Sequence, residues 1–138
     1  MLAKELMRRD VITVRDDTGV DDLIDLMVRE RIHGCPVVDG NGRLVGVVTQ
    51  QDVFFSGIQG PGEGKGGDSG RNRMTVRELM TSPPVSADEE TRITNLCRMM
   101  HRLGIHRVPI VKDGKVTGII SSLDIVGELA DREGKRES

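Results

Sequence analysis

Most of this chain is written twice. Glu5-Leu6-Met7 recurs as Glu78-Leu79-Met80, and the same offset carries Thr18 onto Thr91, Leu23 onto Leu96, Met27 onto Met100 and Arg29 onto Arg102. It also carries Ile32-His33 onto Ile105-His106, Pro36 onto Pro109 and Val38 onto Val111. After one residue is lost, Gly42, Gly46 and Asp52 meet Gly114, Gly118 and Asp124. Two copies of one supersecondary unit imply that each buries an apolar face against the other. The 138 residues are enough for two half-size units on a shared core. The expectation is one pseudo-symmetric module with two equivalent clefts.

Within each copy the periodicity changes in the same order. Val11-Ile12-Thr13-Val14, matched by Pro84-Val85-Ser86-Ala87, reads as a short first strand. Thr18 with Asp21 looks like a helix start, a capping hydroxyl followed three residues later by an acid. Val20, Leu23, Ile24, Met27 and Val28 then follow a helical period, repeated by Ile93, Leu96, Cys97, Met100 and Leu103 with Gly104 as the stop. An apolar strand follows, Cys35–Val38 or Val108–Val111. Asn41-Gly42 and Asp113-Gly114 tolerate positive φ and turn it back into Leu44–Val48 or Val116–Ile120. Thr49 or Ser121 opens a second helix.

The predicted fold is mixed α/β (α+β): strand, helix, strand, strand, helix, over residues 1–55 and again over 74–130. Residues 56–73, SGIQGPGEGKGGDSGRNR, are dense in glycine and read as a flexible linker. They lack the GxxxxGK[ST] spacing and the preceding strand of a phosphate loop. Residues 131–138 read as a charged, frayed tail.

Charge and composition exclude several function classes. Lys and Arg number 20 against 22 Asp and Glu, with two Phe and no Trp or Tyr. Nucleic-acid binding wants a basic face and stacking aromatics, so none is expected. No apolar run approaches a membrane span, and MLAKELMRRD lacks the apolar core and cleavage site of a signal peptide. Cys35 and Cys97 stand at unrelated spacings in apolar segments and are expected to be buried, reduced thiols of a cytoplasmic protein. The three histidines form no HExxH and there is no GxSxG, so neither catalysis nor a metal site is expected.

Each copy resembles a cystathionine-β-synthase-type (CBS) domain, from its Glu-Leu-Met opening through an Ile-His-x-x-Pro strand to the closing Gly-h-h-Ser/Thr-x-x-Asp. That closing pattern is Gly46-Val-Val-Thr49-Gln-Gln-Asp52 in one copy and Gly118-Ile-Ile-Ser121-Ser-Leu-Asp124 in the other. The resemblance implies two repeats packed through their sheets about a pseudo-twofold. Clefts between them would take AMP, ADP, ATP or S-adenosylmethionine, and the module would form a homodimer that signals to an effector protein, with no cofactor required. The rival reading is a structural dimerisation module with empty clefts.

Thr49 with Asp52 and Ser121 with Asp124 suit helix capping. The same acids also suit a ribose, whose adjacent hydroxyls donate to a carboxylate. Gly46 and Gly118, inside strands, point to backbone packed close to something. His33 and His106 either pack beside their strands or face phosphate. His106-Arg107 resembles the Ile-His-Arg segment of the γ subunit of the AMP-activated kinase, and a guanidinium fork suits phosphate. Gly34 stands where Arg107 stands, so the clefts are expected to be unequal. Through the resemblance Ile12-Thr13 and Val85-Ser86 line the base pocket, and Pro36 and Pro109 complete the ligand-binding set. Arg8 and Arg9, near the first strand, either restore positive charge to the first copy or, as expected here, are solvated.

Overall fold

The computed structural model describes residues 1–56 and 74–137; apart from Ser56, the expected linker lies outside the described residues. In chain order the elements are helix α1 (Ala3–Leu6), strand β1 (Val14–Arg15), α2 (Val20–Glu30), β2 (Gly34–Val38), β3 (Leu44–Thr49) and α3 (Gln50–Phe55). There follow α4 (Val76–Leu79), β4 (Ala87–Asp88), α5 (Ile93–Leu103), β5 (Arg107–Lys112), β6 (Lys115–Ser121) and α6 (Ser122–Glu137). The fold is mixed α/β with two three-stranded sheets, β1-β2-β3 and β4-β5-β6. The segment expected as a frayed tail is helical as far as Glu137.

The chain divides into two compact units that differ in continuity. One is continuous, Ile12–Pro84; the other is split, Met1–Val11 with Val85–Ser138. The Glu-Leu-Met opening of each copy therefore belongs to the unit built on the other copy.

In the continuous unit Leu23 and Met27 of α2 pack with Val14, Cys35, Val37, Val48 and Val76. Thr81, just after α4, bridges Val47 of β3, and Thr75 bridges Gly19. In the split unit Leu96 and Met100 of α5 pack with Ala3, Met7, Val108, Ile110 and Ile120. Arg8 bridges Ile119 of β6, and Leu2 bridges Arg92.

The strand glycines accommodate the methionine of the opening motif. A Cβ on Gly46 would come within 2.5 Å of Met80 Sδ and 3.0 Å of the Thr81 carbonyl oxygen, and one on Gly118 would overlap Met7 as far back as its own Cβ. The close approach inferred from these glycines is thus to a side chain of the protein itself.

Several local expectations change. The first strand of each copy starts later and has two residues, because only Val14–Arg15 and Ala87–Asp88 pair with β2 and β5; Pro84 offers no N–H to a ladder. Thr18 caps nothing. The N-caps are Gly19 and Arg92, without side-chain hydrogen bonds. Thr91 instead exchanges hydrogen bonds with Asp88, closing the turn before α5. Cys35 is buried and its thiol is pushed up to about 11 by desolvation, but Cys97 is exposed. It lies one residue past buried Leu96 on α5, just off the apolar stripe.

Where the glycine signals are local, they hold. Gly104 ends α5 at φ 66°, and Asp113-Gly114 turn with φ 54° and 81° between paired Lys112 and Lys115. That two-residue turn with both φ positive is the hairpin connection matched to strand twist. Arg31 ends α2 at φ 55°, a conformation that glycine adopts with less strain.

Gly118→Ala should lower stability by about 1–3 kcal/mol, the usual cost of forcing a methyl into a filled site. Urea titration checks this. The cost should shrink in a Met7→Ala background; an equal loss in both backgrounds contradicts the assigned contact.

Candidate functional site

The β3–α3 and β6–α6 junctions are built alike. Thr49 accepts a hydrogen bond on Oγ1 from the Asp52 N–H (3.3 Å), while its own N–H (2.7 Å) and hydroxyl (3.1 Å) donate to Asp52 Oδ2. Ser121 Oγ accepts from the Asp124 N–H (3.1 Å), and the Ser121 N–H donates to Asp124 Oδ2 (2.9 Å). Each exchange ends a strand, starts a helix and fixes the rotamer of the acid; a cap of this kind contributes about 1 kcal/mol.

Pairing in the sheet brings the other expected residues to the same end. Gly34 lies opposite Thr49, and the His33 carbonyl accepts from the Gln50 N–H at 2.7 Å. Arg107 lies opposite Ser121, and the His106 carbonyl accepts from the Ser122 N–H at 2.8 Å. β1 runs parallel to β2 with Val14 on Val37, so Ile12 and Thr13 fall at the Gly34 end. By the same register Val85 and Ser86 fall at the Arg107 end. Each unit thus carries one complete set: Ile12, Thr13, His33, Gly34, Thr49 and Asp52 in the continuous one; Val85, Ser86, His106, Arg107, Ser121 and Asp124 in the split one.

His33, His106, Arg107 and Val85 are exposed, and Ile12, Thr13, Gly34, Thr49, Ser86 and both acids are half-buried. Pro36 and Pro109 are not brought to the surface; both are buried in their strands. His33 Nδ1 lies 3.0 Å from Gln50 Oε1.

One contact of the site corrects the sequence reading. Arg8, expected to be solvated, directs Nε (3.0 Å) and Nη2 (2.9 Å) at Asp124 Oδ1. The two partners are 116 residues apart, so no local pattern joins them. The available signal is the repeat itself, which aligns Arg8 with Thr81 and leaves the charge in one copy only. Burial pushes the Asp124 carboxyl up, but hydrogen bonds from Ser121 and the Arg8 guanidinium outweigh it and hold it below its ordinary range.

An open groove of about 570 Å³ lies elsewhere on the split unit, among Leu6, Ile93, Ile125 and Leu129, and none of the expected site residues lines it. Among the described residues no His, Cys, Asp or Glu group is arranged to hold a metal, and no helix is long and apolar enough to cross a membrane.

Asp124 has a lowered folded pKa, so its stabilisation is present above the unfolded value of about 3.9 and is lost as pH falls through the folded value. Arg8→Ala should therefore cost about 0.5–1 kcal/mol near neutral pH. The gap from the parent should close as acidification carries the pH below the ordinary carboxylate range and through the lowered folded value. Urea melts across that range check it, and a gap that ignores pH contradicts the ion pair.

The comparisons with known proteins bear on the family and the fold. The CBS domain family model matches residues 3–56 and 76–131. The chain is 33% identical to an inosine-5′-monophosphate dehydrogenase of Methanocaldococcus jannaschii over 90% of its own length and 23% of that enzyme's. It spans 41%, 31% and 22% of three further curated relatives. Among solved structures it resembles CBSX2 in complex with AMP, at TM-score 0.79 and 28% identity, covering 94% of this chain and 97% of that one. It also resembles the CBS domain pair of protein MJ0100 in complex with 5′-methylthioadenosine and S-adenosyl-L-methionine, at TM-score 0.76 and 25% identity, covering 96% and 98%. A repeat matched twice, with its closing Ser/Thr-x-x-Asp intact at both strand ends, makes this chain a member of the CBS domain family, carrying a pair of CBS domains.

Proposed function

We propose that each unit binds the adenosine part of an adenine nucleotide, and that the pair is a non-catalytic regulatory module. The observation that carries this is an aspartate held by its capping exchange at each strand end, beside half-buried Ile12 and Thr13 in one unit and half-buried Ser86 in the other. The molecules named with the two solved relatives, AMP, 5′-methylthioadenosine and S-adenosylmethionine, differ in charge. What they share is the adenine ring and the ribose 2′,3′-diol of an adenosyl group. A carboxylate suits the diol because it accepts from both hydroxyls. Backbone groups of Ile12-Thr13 and Val85-Ser86 would read the base, and His106 with Arg107 would meet phosphate.

Output would go to an effector protein in the cytoplasm. The dehydrogenase relative, of which the chain spans 23%, is consistent with such a module serving an enzyme domain. Homodimerisation is supported by exposed apolar side chains, Phe54 and Phe55 at 75% and 79% exposure and Leu123 at 77%.

AMP, ADP, ATP or S-adenosylmethionine should raise the melting temperature, and guanine nucleotides should do less. Arg107→Ala should weaken AMP roughly tenfold to a hundredfold by calorimetry and leave adenosine unchanged. Equal AMP affinity removes the phosphate assignment. No shift with any adenosine compound at millimolar levels contradicts the binding reading.

A further inference from the structure

Arg8 and Thr81 occupy the same rung of their respective units. The Arg8 N–H donates to the Ile119 carbonyl at 3.0 Å and its carbonyl accepts from Ile119 at 2.9 Å; Thr81 and Val47 exchange the same pair at 2.9 and 3.1 Å. Each rung follows the methionine seated on the strand glycine. From its rung Arg8 covers Asp124 Oδ1, while Ser121 holds Oδ2. Thr81 brings no charge to the matching place. Asp52 pairs with no cation among the described residues, and the contacts to its carboxylate all come from Thr49 to Oδ2.

From this asymmetry we infer that Arg8 is a latch on the split unit's acid, competing with ribose hydroxyls for Asp124 Oδ1, so that the two sites are unequal in what they accept. The inference rests on the reading of Asp52 and Asp124 as ribose acceptors. Among the described residues nothing donates to Asp52 Oδ1, so a ribose reaching Asp52 finds that oxygen open. At Asp124 it must replace a charge-assisted donor by a neutral one, which is the weaker bond.

Exposure makes the latch displaceable. The Arg8 side chain is 69% exposed although the Asp124 side chain is only 9% exposed, so the guanidinium can be released into water. A neutral nucleoside gives the freed guanidinium nothing. A phosphorylated ligand offers it an anion of matching geometry. Arg8 therefore makes the split unit discriminate against ligands without phosphate, and the continuous unit lacks that discrimination.

Calorimetry on the full chain with adenosine and AMP as probes tests this. Asp52→Asn leaves the Asp124 site as the one to read, and Asp124→Asn leaves the Asp52 site. In the first background Arg8→Thr should tighten adenosine about fivefold, and AMP by less. In the second, Thr81→Arg should weaken adenosine by a similar factor. Both rungs are exposed, so both variants should fold, and melting curves verify it.

If Arg8→Thr leaves adenosine unchanged or weakens it while AMP still binds, the latch is overturned and the nucleotide reading stands. If neither adenosine nor AMP gives heat in the parent or any variant, the nucleotide reading falls and the latch with it.

Discussion

The capping exchange at the end of each hairpin governs much else in the molecule. An N–H at the end of β3 or β6 needs a partner once its strand runs out, and the first N–H groups of the next helix need acceptors. Thr49 with Asp52 and Ser121 with Asp124 satisfy both demands with one pair of side chains. The carboxylate is held at the strand end for structural reasons whatever binds there. A ligand site placed on it inherits that rigidity, because one oxygen is committed and only the other is variable. The two units differ in how that second oxygen is used.

A second constraint is the contact of Met7 with Gly118 and of Met80 with Gly46. A strand glycine is unfavourable in isolation. Here it allows the opening motif to lie against the sheet, and the bridges at Ile119 and Val47 extend each sheet by one further pairing. Because Met1–Val11 belongs to the split unit and the α4 segment to the continuous one, the sequence repeat and the structural unit are offset from each other. That offset brings Arg8 of the first copy to Asp124 of the second.

What was legible in the sequence was what is local or repeated. The helical stripes, the turns at Gly42 and Gly114, the stop at Gly104 and the two Ser/Thr-x-x-Asp junctions each rest on residues a few positions apart. Thr18 misled because the helix begins one position later, with Gly19 as its N-cap, and its copy Thr91 uses the hydroxyl in a turn with Asp88. Cys97 misled because it lies at the edge of the stripe that Leu96 and Met100 bury, where the helical period alone does not fix the depth of burial. Arg31 shows a helix stop without a glycine, which no propensity rule selects. The Arg8–Asp124 pair was beyond reach because it depends on which unit the first residues join.

On the proposed reading, the capped aspartate of each unit receives the adenosine of the ligand. The Thr49 and Ser121 amides each donate to that carboxylate, so their resonances report directly on it. In an AMP titration followed by amide nitrogen–proton correlation spectra, both should shift among the largest in the chain. AMP binding that leaves both amides where they are in the free protein would contradict the account.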